Sequence, residues 1–172
     1  KNQDKTDMKK IAALSVMLII AFSVSFANAQ NNINNITNAY LGVKNALAAG
    51  KATDAQAEAK GLFAALSGPE NGLSPGQQKI FNSYADKLKF DSRHISASTD
   101  IEHQREHFEN LSKNLYEVLK AVSANSATIY MQYCPMKKAC WLSEISAIKN
   151  PYYNDRMMTT CGRTKATLEA VK

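Results

Sequence analysis

The fold is decided by residues 101–122, which read IEHQREHFENLSKNLYEVLKAV. Apolar side chains recur there three and four residues apart, which is the spacing of one buried face on an α-helix. These positions are Ile101, Phe108, Leu111, Leu115, Val118 and Val122. Thr99 and Glu102 stand just before the apolar run and predict a capping box at the helix start. The stretch therefore predicts a long amphipathic helix that packs against other elements.

Three upstream segments carry the same spacing. Thr53 and Gln56 predict a capping box at the start of the second helix. Ser74, followed by Pro75 at the first helical position and Gln77 at the third, opens the next one. The predicted buried positions are Ile33, Ile36, Tyr40, Val43 and Leu47 in the first helix, Ala55, Ala59, Leu62 and Leu66 in the second, and Phe81, Tyr84, Leu88 and Ile95 in the third. Short loops between successive helices predict an all-α fold, an up-down-up-down antiparallel four-helix bundle.

Residues 127–172 lack the helical spacing and are predicted to form a small irregular cap on the bundle. Residues 127–133 are β-branched and aromatic with a rough alternation, so they predict an extended segment or short strand. A short helix is predicted over 141–149, because the following Asn-Pro pair can end it. A second extended piece is predicted over 157–160, and a last helical turn or two over 165–171.

The first 29 residues have the pattern of a secretory signal peptide. A basic pair precedes an apolar, almost uncharged run over 11–26, and the small residues Ala27 and Ala29 form a cleavage signal. We predict that the signal starts at Met8, is cleaved after Ala29, and follows an N-terminal extension of residues 1–7. The alternative is a membrane anchor, because the apolar run approaches the length of about 18 residues that spans a bilayer.

Cleavage would leave residues 30–172 as a single domain that is periplasmic or secreted. The net charge of +6 is spread along the chain rather than gathered in runs, which argues against a nucleic-acid partner. No membrane association is expected after the signal is removed. The sequence contains no glycine-rich phosphate loop, haem-attachment motif or nucleophile elbow, so we expect that the protein is not an enzyme.

Two short fragments near the C-terminus each hold a thiol and a thioether. Cys134 and Met136 lie in the first fragment, and Met158 and Cys161 lie in the second. Thiolate and thioether sulfur favour soft ions such as Cu(I), so these four residues predict one soft-metal site. If residues 134–136 are extended, the first and third side chains share one face and both can meet the ion.

The number of cysteines leaves the redox chemistry open. The sequence has three cysteines, Cys134, Cys140 and Cys161. In an exported protein, an odd number means that at least one thiol is free, forms a bridge to another chain or binds a metal. The alternative to a metal site is a structural disulfide between Cys134 and Cys161, worth about 2–4 kcal/mol. The protein would then be a non-metal structural or interaction module. The two interpretations do not exclude each other.

Four spaced motifs and part of the predicted fourth helix carry a family resemblance. They are Tyr133-Cys134-Pro135-Met136, Trp141-Leu142-Ser143, Ile148-Lys149-Asn150-Pro151-Tyr152-Tyr153, Met158-Thr159-Thr160-Cys161-Gly162, and Gln104-Arg105-Glu106-His107-Phe108 with Leu111-Ser112 and Leu115-Tyr116. Together they resemble a bacterial periplasmic family of unknown-function domains. That family occurs alone, or fused to the periplasmic adaptor subunits of RND-type copper/silver efflux pumps. The resemblance implies a helical bundle and heavy-metal handling, with copper as the ion.

The resemblance also implies that the four sulfur residues named above bind the metal, and that a periplasmic efflux adaptor is a partner. The protein would sequester the ion or pass it on. This sequence departs from the family in the short segment between Met136 and Trp141. It departs again in Cys140, which the family pattern does not contain. Cys140 either replaces a ligand or pairs with Cys134.

The three histidines raise two further interpretations. His103, Glu106 and His107 match the His-x-x-Glu-His pattern of inverted zinc proteases, so a zinc hydrolase is a remote alternative. Such enzymes need a further glutamate ligand and a large substrate cavity. His94 lies near the end of the third helix, where antiparallel pairing can bring it close to His103 or His107. The three predict a secondary site for Cu(II) or Zn(II), and the alternative is a solvated helix face stabilised by neighbours such as Glu102.

Overall fold

The computed structural model describes residues 32–69, 72–154 and 158–171. Its helices are α1, which is described over 32–48, α2 (Ala52–Ser67), α3 (Pro75–Ala97) and α4 (Ile101–Val122). Its strands are β1 (Ile129–Cys134), β2 (Ala139–Ser143) and β3 (Arg163–Leu168). The predicted N-terminal extension and signal peptide, residues 1–29, lie outside the described residues. Within the described ranges, none of the helices combines the length and apolar character needed to cross a membrane.

The helices run alternately up and down, and α1 lies antiparallel to α4. Tyr40 of α1 stacks on Phe108 of α4 with 5.1 Å between ring centroids. About two turns after Tyr40 on α1, the Leu47 carbonyl accepts a hydrogen bond from Arg105, which lies about one turn before Phe108 on α4. Residue numbers therefore rise along α1 while they fall along α4, as the short connections predict.

The residues with helical spacing form the core. Of the buried positions predicted from the four helical patterns, only Tyr84 and Ile101 are not fully buried, and both pack against the core as half-buried side chains. Ser74 caps α3 as predicted, because its hydroxyl accepts the Gln77 N–H while the Gln77 side chain accepts the Ser74 N–H. The apolar spacing thus identifies the core correctly.

Two predicted helix caps are wrong. α2 begins one residue before Thr53, so Thr53 lies inside the helix and Lys51 takes the cap position without a side-chain hydrogen bond. Asp100, not Thr99, caps α4, and its carboxylate accepts the first backbone N–H groups of that helix. A carboxylate at this position satisfies unpaired donors and also places negative charge at the positive end of the helix dipole.

The predicted all-α class is wrong, because the C-terminal region forms a three-stranded antiparallel sheet with the strand order β2-β1-β3. On one side of β1, Cys134 pairs with Ala139 of β2. On the other side, Tyr133 pairs with Arg163 of β3. The protein is therefore a mixed α/β fold, in which a helical bundle is followed by a small sheet.

The predicted cap is right in its first strand and wrong in its other elements. β1 confirms the extended segment predicted near 127–133. The helix predicted over 141–149 is wrong, since its first residues belong to β2. All five β2 residues are buried, so this strand lacks the alternation of polar and apolar residues that is typical of a half-exposed strand. The helical turn predicted over 165–171 is wrong because β3 lies there, and residues 158–160 form a turn rather than an extended piece.

Buried polar groups join the sheet region to the bundle. The Tyr40 hydroxyl accepts the backbone N–H of Leu142 at 3.0 Å and lies 2.7 Å from the Ser112 hydroxyl. Arg105 donates from Nε to the Pro151 carbonyl at 2.9 Å. All of these contacts are buried, so bundle and sheet share one continuous core.

Lys44 is a buried cation at the same junction. Its side chain has no exposed surface, and its Nζ lies 2.8 Å from Oε2 of Glu144, which is 36% exposed. Partial burial acts to raise the pKa of Glu144, but hydrogen bonds from Lys44 and Asn45 outweigh it and hold this pKa below its usual value. The pair therefore fixes the start of the loop after β2 to α1.

We expect Glu144→Gln to lower the free energy of unfolding by about 2 kcal/mol at pH 7, because it leaves the Lys44 charge buried without its partner. Urea denaturation measures the effect. A folded-state pKa below the unfolded value stabilises the fold above the unfolded pKa, and this contribution is lost as the pH falls through the folded pKa. The difference between the two proteins should accordingly shrink below about pH 4.

The control for this variant is Glu109→Gln. Glu109 pairs with Lys113 at 2.7 Å, and the Lys113 side chain is 52% exposed. Because the cation left by this substitution keeps its hydration, the loss should be less than about 0.5 kcal/mol. Equal losses of unfolding free energy in Glu144→Gln and Glu109→Gln would contradict the claim that the buried Lys44 depends on its partner.

Candidate functional site

The end of β1 and the residues before β3 bring Cys134 and Cys161 together. Cys134 is the last residue of β1 and is fully buried, whereas Cys161 is half-buried. Because β1 and β3 pair antiparallel up to Tyr133 and Arg163, these two cysteines meet at the same edge of the sheet. Their thiols are close enough for each to shift the pKa of the other, and both cysteines are free.

The Cys134 sulfur accepts several hydrogen bonds. Burial acts to raise its pKa, but donors on the Cys161 thiol, the backbone N–H groups of Lys137 and Met136, and the Asn150 side chain outweigh burial and lower the pKa. The shared bond raises the pKa of Cys161, because the Cys161 thiol is the donor. Cys134 is thus the member of the pair that forms a thiolate first, and Cys161 keeps the proton between the two sulfurs.

Asn150 holds the second cysteine in place. It is fully buried, and its Nδ2 donates to the Cys161 carbonyl at 2.8 Å. Its Oδ1 accepts the Tyr152 N–H at 2.9 Å, and its own backbone N–H donates to the Thr159 carbonyl at 2.8 Å. The sequence patterns predict no role for Asn150 in the site. Its position before a proline suggests only a turn, so the sequence offers no direct signal for this contact.

Gly162 allows the chain to pass close to the sheet just after Cys161. Its φ is +149°, and a Cβ built there would lie 2.8 Å from the Trp141 ring and 3.3 Å from the Tyr133 carbonyl oxygen. Any larger residue would therefore push the segment that carries Cys161 away from β1.

Gly162→Ala should lower the free energy of unfolding by about 2 kcal/mol, since the added methyl group overpacks against Trp141 on a strained backbone. Urea denaturation followed by the fluorescence of Trp141, the sole tryptophan, measures the loss. Gly61→Ala is the matched control, because the position is inside α2 and a Cβ there would meet no atom within 4 Å beyond its neighbours and the backbone of its own helix. It should stabilise the protein by up to about 1 kcal/mol. A neutral Gly162→Ala would show that the close approach does not matter.

The two predicted methionine ligands lie beside the cysteine pair in less regular positions. The expectation that 134–136 is extended is wrong, because β1 ends at Cys134 and residues 135–138 form a turn. Alternation of side chains therefore does not apply, and Met136 as a residue is 70% exposed. Met158 is half-buried in a turn, where its carbonyl accepts the Cys161 N–H at 3.0 Å. A role for either thioether as a ligand stays a prediction.

Cys140 projects away from the pair. It lies directly opposite Tyr133 in the β1–β2 ladder, whereas Cys134 lies opposite Ala139. Neighbouring residues of a strand point to opposite faces, so Cys140 and Cys134 lie on different faces of the sheet. The interpretation that Cys140 pairs with Cys134 does not fit this register. Burial raises the pKa of Cys140, so its thiol forms a thiolate less readily than that of Cys134, whose pKa is lowered.

The three predicted histidines meet between α3 and α4. His94, His103 and His107 each offer one ring nitrogen, and these nitrogens lie within 4.8 Å of one another. Nδ1 of His107 lies 2.9 Å from Oδ1 of Asp91, a contact that was not predicted from the sequence. The signal was available, because Asp91 lies three residues before His94 and therefore on the same face of α3.

The ionisable side chains in and beside this cluster shift each other's pKa values. Desolvation lowers the pKa of His94, and the imidazoles of His107 and His103 add to the effect. Burial raises the pKa of Asp91, although its bond with His107 opposes that shift. Glu106, the residue that a zinc protease would need as its base, is exposed.

The fold and its clusters define a class: a helical bundle with an antiparallel sheet, which carries a free cysteine pair and a group of three histidines that could hold a metal ion. Residues 36–127 match the family described as "Protein of unknown function (DUF3347)", and the chain belongs to this family. The matched segment contains the three histidines and ends before β1. No curated protein and no solved structure matches the chain.

The family match confirms part of the resemblance noted in the sequence. Membership of a family of unknown function is confirmed. The bacterial periplasmic setting and the association with copper/silver efflux adaptors stay predictions. The C-terminal motifs that carry much of the resemblance lie outside the matched residues.

Proposed function

We propose that this protein binds a soft transition-metal ion, with Cu(I) as the preferred ion, through the sulfur atoms of Cys134 and Cys161. The observation that carries the proposal is that two free cysteines from separate segments of the chain meet at the end of the β1–β3 ladder, where each shifts the pKa of the other. Thiolate sulfur selects Cu(I) and other soft ions over calcium or magnesium. Because the register of β1 and β3 brings the two cysteines together, both sulfurs can bind one ion without a rearrangement of the sheet.

The ion would take the place of the proton that the two sulfurs share. Metal ligands must be deprotonated, so binding releases protons. The donors on Met136, Lys137 and Asn150 stabilise a thiolate on Cys134 before the ion arrives. Cys161 is half-buried, so both the departing proton and the arriving ion have access to its sulfur.

Met136 and Met158 are proposed as additional thioether ligands. Met136 is exposed on the turn whose backbone N–H groups already contact the Cys134 sulfur, so a change of its side-chain rotamer is the movement that coordination requires. Met158 lies three residues before Cys161, in a turn closed by their backbone hydrogen bond. Uncharged thioether ligands add softness to the site without adding charge.

The proposed role is sequestration or transfer of the ion rather than catalysis. Export to the periplasm or outside the cell, and an efflux adaptor as partner, are part of the proposal on the strength of the sequence resemblance. Partial exposure of Cys161 favours transfer, because a partner can reach one ligand of the pair without unfolding the site. The contact also favours a second candidate, a structural module with a Cys134–Cys161 disulfide, because the two sulfurs are already neighbours.

Titration of the reduced protein with Cu(I) under anaerobic conditions, in competition with bathocuproine disulfonate, tests the proposal. We expect one ion per chain, and a loss of affinity of at least roughly 100-fold in Cys134→Ser and in Cys161→Ser, since each removes a direct ligand. Met136→Leu and Met158→Leu should weaken binding less. Cys140→Ser is the matched control and should bind as the wild type does, because Cys140 lies on the other face of the sheet.

Unchanged Cu(I) uptake in both Cys134→Ser and Cys161→Ser would overturn the metal proposal. Thiol counting on the denatured protein, purified without reductant, separates the second candidate. A single reactive thiol together with no Cu(I) uptake after reduction would identify the cysteine pair as a structural disulfide.

A further inference from the structure

We infer that His94, His103 and His107 form a second metal site, which takes a borderline divalent ion such as Cu(II) or Zn(II) between α3 and α4. The site shares no residue with the cysteine pair, and its ligands are nitrogen rather than sulfur. The inference therefore does not depend on the proposed Cu(I) function. Imidazole suits copper, zinc and nickel, whereas calcium and magnesium need oxygen ligands.

The helix geometry brings the three rings together. His103 and His107 lie one turn apart on α4, with ring centroids 4.8 Å apart. His94 comes from the antiparallel helix α3, and its ring stacks on His107 with 4.3 Å between centroids. The ligand nitrogens lie within 4.8 Å of one another. Around a tetrahedral ion with bonds of about 2.1 Å, two ligand nitrogens are about 3.4 Å apart. Binding therefore requires the rings to close in by about 1.5 Å at most, a movement within reach of half-buried side chains.

Asp91 supplies the observation that separates this cluster from a chance grouping. Its carboxylate lies 2.9 Å from Nδ1 of His107, and its side chain is only 6% exposed. A metal-binding histidine usually donates one ring N–H to a carboxylate, which fixes the tautomer and orients the other nitrogen toward the ion. In this arrangement Nδ1 of His107 is committed to Asp91, and Nε2 is the ligand atom.

Phe90 shields the cluster on one side. Its ring lies 4.4 Å from the His94 ring and 5.7 Å from the His107 ring, between centroids, although 49% of the residue is exposed. A large apolar side chain over the imidazoles keeps part of the water away from the ion. Three protein ligands leave a fourth position open for water or for a ligand from a partner.

The pattern that suggested a zinc hydrolase has a different meaning in this geometry. His103 and His107 take part as ligands, but Glu106 is exposed and does not belong to the group of described ligands that lie within reach of one ion. The third ligand is a histidine of α3 rather than a distant glutamate. The structure therefore assigns the motif to metal binding, with Asp91 as a positioning residue.

The test uses the full chain that carries Cys134→Ser and Cys161→Ser, so that the sulfur site cannot contribute. Zn(II) and Cu(II) are titrated separately against a chromophoric chelator. We expect one ion per chain, and each of His94→Gln, His103→Gln and His107→Gln should weaken binding at least 10-fold. Asp91→Asn should weaken it about 10- to 100-fold, as expected for an outer partner of a metal-binding histidine. Glu106→Gln is the matched control and should leave the affinity unchanged.

Electron paramagnetic resonance of the Cu(II) form gives a readout that a merely structural role would not change. Nitrogen couplings from three imidazoles are expected in the parent protein, and fewer in each histidine variant. Among the described residues, the His103 side chain makes ring contacts alone, so His103→Gln carries the test if Asp91→Asn does not fold. No binding in the parent protein, or binding that none of the histidine substitutions weakens, overturns the inference. Binding of only one of the two ions supports it and identifies the ion.

Discussion

The Tyr40 hydroxyl is the contact on which the position of the sheet depends. It accepts the backbone N–H of Leu142 in β2, and it also contacts the Ser112 hydroxyl on α4. Burial raises the pKa of Tyr40, so the phenol stays neutral and can act as donor and acceptor at once. Because β2 pairs with β1, and β1 ends at Cys134, this buried hydroxyl on α1 directly links the strand pair that carries Cys134 to the bundle. A phenylalanine at this position would leave the Leu142 N–H buried without an acceptor.

The two candidate metal sites are built by different structural means. The cysteine pair depends on turns and a loop, since its orientation comes from backbone donors and from Asn150. The histidine cluster depends on two helices whose packing the apolar core already fixes, with added contacts from Asp91 and Phe90. Ion binding to the sulfur site would therefore stabilise mainly the sheet and its loop, whereas binding at the histidines would join α3 to α4. The ligand types also differ, so the sites would compete little for the same ion.

Sequence patterns correctly predicted the helices, whose apolar residues recur with the helical period. They did not predict the strands β2 and β3, which lack a clear alternation of apolar and polar residues. Apolar spacing identified the helices and their core because each helix has one buried face. β2 was not predicted because all its residues are buried. β3 was not predicted because it is a mostly exposed strand whose polar composition resembles that of a helical turn. The meeting of Cys134 with Cys161, and of the three histidines, followed from motif and helix pairing. Asn150 and Gly162 act through backbone contacts, which no pattern of side-chain types reveals.

Burial of the Lys44 ammonium affects how easily the loop after β2 can move. In the closed arrangement, Lys44 and Glu144 have given up much of their hydration for each other. If the loop lifts, both charges regain water, and this hydration offsets a large part of the lost contact. Local opening therefore costs less free energy than separation of an apolar contact of the same size. The Lys44–Glu144 pair therefore adds little net stability to the loop, whose closed position also depends on the buried contacts of Asn150 and Arg105.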